Sequence, residues 1–305
     1  MDGFQKAAHL FEYALIRLAG FFLNLLPFSF TLRLARPGGV LLFWVLKRSR
    51  RIALENLKQV YGSEKSEAEI RNIARESFVH LAEFGAEWLW MPQIAKDPMR
   101  YLAISGVQKI HSALKQGKGA MLLVSHTGNW EIMALIVGTL IAKPVGASIY
   151  ALARPLKNLY LYKYSLRLRG LTGLQSIPKV GGVHETFNRL KDNGIVSTLI
   201  DQRVGEGGVE VNFFGRPALT TSLPAVSALR LGTPLFFLSC HRTSDLRFMM
   251  EVEGPVEIER TGDIRHNIRV NTQRINDRLE AEIRKDPPRW LWMHNRWRTR
   301  HGAKD

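Results

Sequence analysis

The chain has 305 residues, 46% of them apolar, which is enough to bury a sizeable core in a single α/β unit. Its 43 Lys and Arg against 27 Asp and Glu leave a formal charge of +16, which points to polyanionic partners: nucleic acid, anionic lipid or an acidic carrier protein. The lone cysteine, Cys240, excludes an intramolecular disulfide and reads as a buried, inert thiol, so the chain suits a reducing compartment.

The N-terminus carries two charge-free apolar runs, 18–32 and 37–46. Pro27 breaks the first, and both fall short of the about 20 apolar residues a spanning helix needs. Glu12 and Arg17 and the lack of a small-residue cleavage site argue against a signal peptide. These runs are expected to lie in a membrane interface or to form a shallow hairpin. The basic cluster Lys47-Arg48-Ser49-Arg50-Arg51 follows directly, and each basic residue near an anionic bilayer contributes about 1 kcal/mol. A hydrophobic helix packed on the core, with a solvated basic turn, is the alternative. Residues 1–60 are therefore expected to form an apolar and basic membrane-associated segment, and 61–305 the main domain.

Residues 66–91 read as one amphipathic helix. Ser66 and Glu69 make a capping box at its start, and Ile70, Ile73, Phe78, Leu81, Phe84 and Trp88 recur at helical spacing. From about residue 100 strands and helices alternate. Strands are expected over 120–125, 145–152, 195–200, 209–214, 234–240 and 246–252. Helices are expected over 129–141, 156–168, 182–191, 223–231 and 264–284. This alternation predicts an α/β fold with a mainly parallel central sheet covered on both faces, and sites at the carboxyl ends of its strands.

Ser125-His126-Thr127-Gly128-Asn129-Trp130-Glu131 is the sharpest local feature. His126 ends a strand and Glu131 opens a helix. In an unbroken helix the two side chains would stand about 140° apart, so they meet only if the chain bends between them. Gly128 supplies the bend, and Thr127 or Asn129 can cap the helix. A carboxylate on one imidazole nitrogen would leave the other free as a general base. Ser125 is not expected to be a nucleophile partnered by His126, because adjacent strand residues point to opposite faces. No metal-ligand spacing is present. Spacing alone leaves a catalytic pair and a satisfied structural histidine both open.

The string around His126 resembles the His-x4-Asp/Glu signature of the lysophospholipid and glycerolipid acyltransferase superfamily. Its longer form is similar to the late acyltransferases of lipid A biosynthesis, the lauroyl and myristoyl transferases. The similarity covers nearly the whole chain. Asn56-Leu57, Arg154-Pro155, Asp201-Gln202, Phe213-Phe214-Gly215-Arg216-Pro217-Ala218 with Thr220 and Thr221, and Trp292-Met293-His294-Asn295-Arg296-Trp297 match further family segments in the same order.

The resemblance implies acyl transfer from acyl carrier protein, or from coenzyme A, to a hydroxyl of a lipid A precursor, without cofactor or metal. It implies His126 as general base and Glu131 as its orienting partner. Arg154, or backbone N–H groups near Gly128 and Asn129, would hold the oxyanion. Asn129, Asp201, Gln202, Arg216, His294 and Arg296 are the implied substrate-binding residues, with Asp201 and Gln202 either toward the acceptor sugar or holding the site together, and Arg216 either toward phosphate or a turn arginine in solvent. The tryptophans Trp290, Trp292 and Trp297, interleaved with Lys285, Arg289, Arg296, Arg298, Arg300 and Lys304, suit an anionic bilayer carrying phosphorylated glycolipid. No nucleic-acid motif is present, and the apolar N-terminus has no purpose in a nucleic-acid-binding protein. The cytoplasmic face of a bacterial inner membrane is the implied location. A lysophospholipid or mannosylated lipid is the alternative acceptor, and a non-catalytic membrane-surface scaffold the alternative class.

Overall fold

Residues 3–178, 181–205 and 207–297 are described by the structure, a computed structural model. Arg298, Arg300 and Lys304 lie outside the described residues. Four helices come first: α1 (Gly3–Leu25), α2 (Phe28–Val45), α3 (Lys47–Tyr61) and α4 (Glu67–Lys96). The capping box of α4 forms as expected, Ser66 accepting from the Glu69 N–H while the Glu69 carboxylate accepts from the Ser66 N–H. That helix runs on through Pro92, past its expected end.

The alternating region follows: α5 (Pro98–Tyr101), β1 (Leu102–Ser105), α6 (Val107–Lys115), β2 (Ala120–Val124), α7 (Trp130–Ile136), β3 (Ile149–Ala153), α8 (Leu159–Gly170), β4 (Leu174–Pro178), α9 (Gly182–Lys191) and β5 (Ile195–Leu199). Then come β6 (Gly208–Phe213), β7 (Arg216–Thr221), α10 (Leu223–Leu231), β8 (Leu235–Arg242), β9 (Phe248–Glu253) and α11 (Ile264–Lys285). The expected strand over 145–152 starts late. A π-helical turn, Val137–Ala142, and a short 3-10 turn extend α7 until Gly146 ends them in the left-handed conformation.

The main sheet has seven strands in the order β1-β9-β8-β2-β5-β3-β4. Strands β8, β2, β5, β3 and β4 run parallel; β9 runs against β8 and carries β1 with it. The hairpin β6–β7 is a separate antiparallel pair lying on α11.

Along β2, side-chain alternation divides the core into two layers. Ala120, Leu122 and Val124 face one cluster with α4, α6, α7 and α8. Met121 and Leu123 face another with α3, α9, α10 and α11. Helix α2 lies on α4, and Gly39 permits the contact: a Cβ there would come within 2.4 Å of the Val79 backbone. No helix among the described residues is long and apolar enough to cross a membrane. Yet α1 and α2 expose Phe4, Phe11, Phe21, Phe22, Leu25, Leu41 and Trp44.

Candidate active site

Two residues beyond the ends of β2 and β5 lie His126 and Asp201. The register that pairs Val124 with Leu199 continues through the hydrogen bond from the Ile200 N–H to the Val124 carbonyl, and so sets the two side by side. His126 Nδ1 donates to Asp201 Oδ1 at 2.8 Å, and the His126 backbone N–H donates to Oδ2 at 2.8 Å. Trp290 Nε1–H donates to the same Oδ2 at 2.8 Å. Asp201 is 1% exposed. Burial alone would raise its carboxyl; the His126 charge, the two His126 hydrogen bonds and the Trp290 N–H outweigh that and bring it down to about 2. In the neutral imidazole this carboxylate holds the proton on Nδ1 and leaves Nε2 as the acceptor.

This pairing corrects the sequence expectation. Glu131 does not meet His126. It sits in the first turn of α7 and takes two hydrogen bonds from Arg169 of α8, Nε to Oε2 at 3.1 Å and Nη2 to Oε1 at 2.6 Å. The bend at Gly128 exists (φ 67°), but the partner of His126 comes from the end of β5.

Gln202 comes next to the base: its Nε2 lies 3.2 Å from His126 Nε2 and donates to it. Asn129 is the N-cap of α7, its Oδ1 accepting from the Glu131 and Ile132 N–H groups while its Nδ2 donates to Glu87 at 2.7 Å. The capping expectation for Asn129 therefore holds. Its amide oxygen accepts twice and its nitrogen donates once, and the residue is 3% exposed. The Gly128 N–H is engaged by the Arg289 carbonyl at 3.2 Å, which removes it from the set of oxyanion donors.

Among the described residues of the closing segment, Trp290, Trp292 and Arg296 are buried in a strap rather than presented to a bilayer. Trp290 and Trp292 are 1% and 0% exposed, packed edge to face at 4.7 Å. Arg296 is fully buried beneath Phe213, donating to the Leu219 carbonyl and to Thr220 Oγ1. Burial pushes its guanidinium down to about 10, against the pull of Asp201, so it stays charged at neutral pH. It holds the hairpin to the strap. His294 Nε2 accepts from the Arg203 N–H at 3.2 Å, and Asn56 Nδ2 donates to the Trp292 and His294 carbonyls. These residues fix the loop that carries Asp201 and Gln202. Arg154 follows β3 on the same sheet edge and is exposed, with no hydrogen-bond partner among the described residues. Arg216 opens β7 at the hairpin turn, half-buried, and no hydrogen bond joins it to His126 or Asp201.

Ser125 faces away from His126, as strand alternation requires, and lines a cleft with Arg278 and Leu279 of α11. Cys240 is buried and its thiol is pushed up, so it is inert. On the His126 side a narrow crevice is bounded by His80, Phe84, Trp130 and Trp290. Trp130 packs edge to face on the His126 ring at 4.7 Å and stacks on Phe84 at 4.1 Å. Behind Trp130 lies a mostly apolar cavity of about 70 Å³ lined by Met133, Val137, Leu152, Leu174 and Leu199, with the Glu131–Arg169 pair in its wall.

The bacterial lipid A biosynthesis acyltransferase family model matches residues 1–299. The chain belongs to that family. Acyl transfer is therefore its reaction class. The chain is similar to a phosphatidylinositol mannoside acyltransferase of Mycolicibacterium smegmatis, 26% identical over 79% of this chain and 77% of that protein. It is similar to the Mycobacterium tuberculosis enzyme of the same name, 28% identical over 71% and 68%. The lipid A biosynthesis palmitoleoyltransferase of Escherichia coli is 24% identical over 84% and 80%.

Proposed function

We propose that this acyltransferase moves a fatty acyl chain from an acyl carrier protein thioester to a hydroxyl of a lipid A precursor, with His126 as general base and Asp201 as the carboxylate that orients it. The observation that carries the reading is the His126–Asp201 contact at 2.8 Å, with Nε2 facing a crevice beside an apolar cavity. The acceptor hydroxyl displaces the Gln202 amide from Nε2. Nε2 takes the hydroxyl proton as oxygen attacks the thioester carbonyl. The tetrahedral oxyanion collapses, the carbon–sulfur bond breaks, and the imidazolium returns the proton to the thiolate. Ester and free thiol leave, and no acyl-enzyme forms. Arg154, unpaired on the same edge, is the donor assigned to the oxyanion. The acyl chain enters beside Trp130, and the cavity behind it takes only part of the chain's length.

The acceptor has a second reading, a mannosylated lipid, favoured by the two mycobacterial relatives named for such an activity. The exposed apolar faces of α1 and α2, followed by the basic start of α3, are assigned to the interface of an anionic bilayer. Residues 1–60 are then the membrane-associated segment, on the cytoplasmic face of the inner membrane, where the acidic donor is found.

The test offers detergent-solubilised protein a series of acyl carrier protein thioesters with a tetra-acylated lipid A precursor or a phosphatidylinositol mannoside. Products are read by mass spectrometry, beside a His126→Ala control. One added acyl chain on one acceptor, absent from the control, is expected. Thioester consumption that survives His126→Ala would remove the base from the mechanism.

A further inference from the structure

The loop that turns the chain from His126 into α7 is anchored from behind by a buried network of charged side chains that the acyl-transfer reading does not use. Asn129 caps α7 with its oxygen and points its Nδ2 at Glu87 Oε2, 2.7 Å away in α4. Glu87 is 2% exposed, and its other oxygen is bonded by Arg242 Nη1 from the end of β8. Burial pushes the Glu87 carboxyl up, with Arg242 and the Asn129 amide pulling against it. Both of its oxygens accept from N–H donors, one of them a guanidinium, which is the bonding of the ionised form. Arg242 Nη2 bonds Glu83 Oε2 at 2.9 Å, one turn earlier on α4, and Glu83 Oε1 accepts from Arg36 of α2 at 3.0 Å. His80, one turn earlier again, donates from Nε2 to the Gly128 carbonyl at 3.3 Å. Carboxylates and guanidiniums alternate through this chain, so each buried charge has an opposite neighbour.

We infer that Glu87 and Arg242 are positioning residues for His126: their ion pair fixes the orientation of the Asn129 amide, and with it the loop that carries the base. The chemistry is directional. Glu87, as a carboxylate, can only accept, so it compels Asn129 to present Nδ2 backward and Oδ1 forward to the α7 N–H groups. Turned the other way, the amide would aim N–H against N–H at the helix start and lose the cap. The cap lies three residues from the base. Gly128 between them packs closely on the Cys240 backbone: a Cβ there would come within 2.3 Å of the Cys240 carbonyl. A rotation at Asn129 is therefore passed on to His126. Neither Glu87 nor Asn129 lines the crevice of His126, so their effect on turnover acts through the loop.

The inference rests on the acyl-transfer reading, and a charge relocation tests it. Glu87→Gln places an amide N–H against the Asn129 N–H. Asn129→Asp places two carboxylates together. In the double variant, the new amide at position 87 can give its oxygen to Arg242 and its N–H to the new carboxylate at position 129. The second oxygen of that carboxylate still caps α7, and the buried charge count is unchanged. Each single variant is expected to lower kcat by about 10-fold or more, with KM for donor and acceptor within about twofold, and the double variant to recover most of the loss. Hydrogen exchange at the Glu131 and Ile132 amides should rise in the singles and fall back in the double. So should the departure from the wild-type rate of His126 carbethoxylation by diethyl pyrocarbonate. A double variant no better than the product of the two single effects overturns the inference, as does unchanged kcat in both singles. Loss of melting temperature without loss of kcat would reduce the pair to a structural role and overturn it too. Should the wild type transfer nothing, the reaction reading falls, and exchange and carbethoxylation alone decide whether the network holds the loop.

Discussion

At the scale of single residues, the fixed point is Asp201. A carboxylate held at about 2 in the folded protein, below its ordinary value of 3.8, stabilises the fold above that ordinary value and loses the contribution as pH falls through 2. Asp201→Asn should therefore flatten the acid limb of the unfolding curve between about pH 4 and pH 2, read by circular dichroism. His126 and Asp201 are both legible in the sequence as strand-end residues, but not as a pair. Local spacing offers Glu131 as the carboxylate for His126. The partner seen in the fold is set by the register of β2 against β5, with α7, β3, α8, β4 and α9 between them in sequence. Arg296 and the tryptophans of the strap mislead for a different reason. A basic, tryptophan-rich segment has the same local composition whether it lies on a bilayer or is folded under a hairpin, and only the partners Phe213, Leu219 and Asn56 distinguish the two.

At the scale of elements, the loop between β2 and α7 is held from both sides. Gly128 is left-handed, which costs any other L-residue about 1–2 kcal/mol before contacts are considered. Its missing Cβ also leaves room for the Cys240 carbonyl. Gly128→Ala should therefore lower both melting temperature and kcat, and a variant with wild-type turnover would show that the loop tolerates rearrangement. The capped and periodic elements α4 and α11 are readable because their signals are local: Ser66 with Glu69, and Asp263 accepting from the Arg265 and His266 N–H groups. The strands β1, β4 and β7 escape a reading of the sequence. They are short or carry Pro178 and Pro217, and pairing with neighbours supplies what their sequences lack.

At the scale of the whole molecule, the mainly parallel sheet is legible from the alternation of elements, while the outer faces of the N-terminal helices carry the signal for their role. Phe21 and Phe22 are 61% and 56% exposed, side by side on α1. Each such side chain contributes about 1.5–3 kcal/mol when fully buried in an apolar phase. The double variant Phe21→Glu, Phe22→Glu should therefore weaken binding to anionic vesicles by at least about 10²-fold in co-sedimentation. Raising salt should weaken wild-type binding only in part, since the +16 charge is screened while the apolar contact is not. Full release of the wild type by salt alone would assign the surface to charge and leave the exposed phenylalanines unexplained.

The pairing of His126 with Asp201 is the claim on which the mechanism stands, and one comparison tests it most directly: the rate of acyl transfer by Asp201→Asn beside that of the wild type. An asparagine of the same shape can keep its place yet no longer fixes the imidazole proton on Nδ1 or stabilises the imidazolium. The account predicts a loss of about 10²–10⁴ in kcat, the range for a positioned general base, with KM little changed. A rate within a few-fold of wild type would contradict it and return the carboxylate role to another residue.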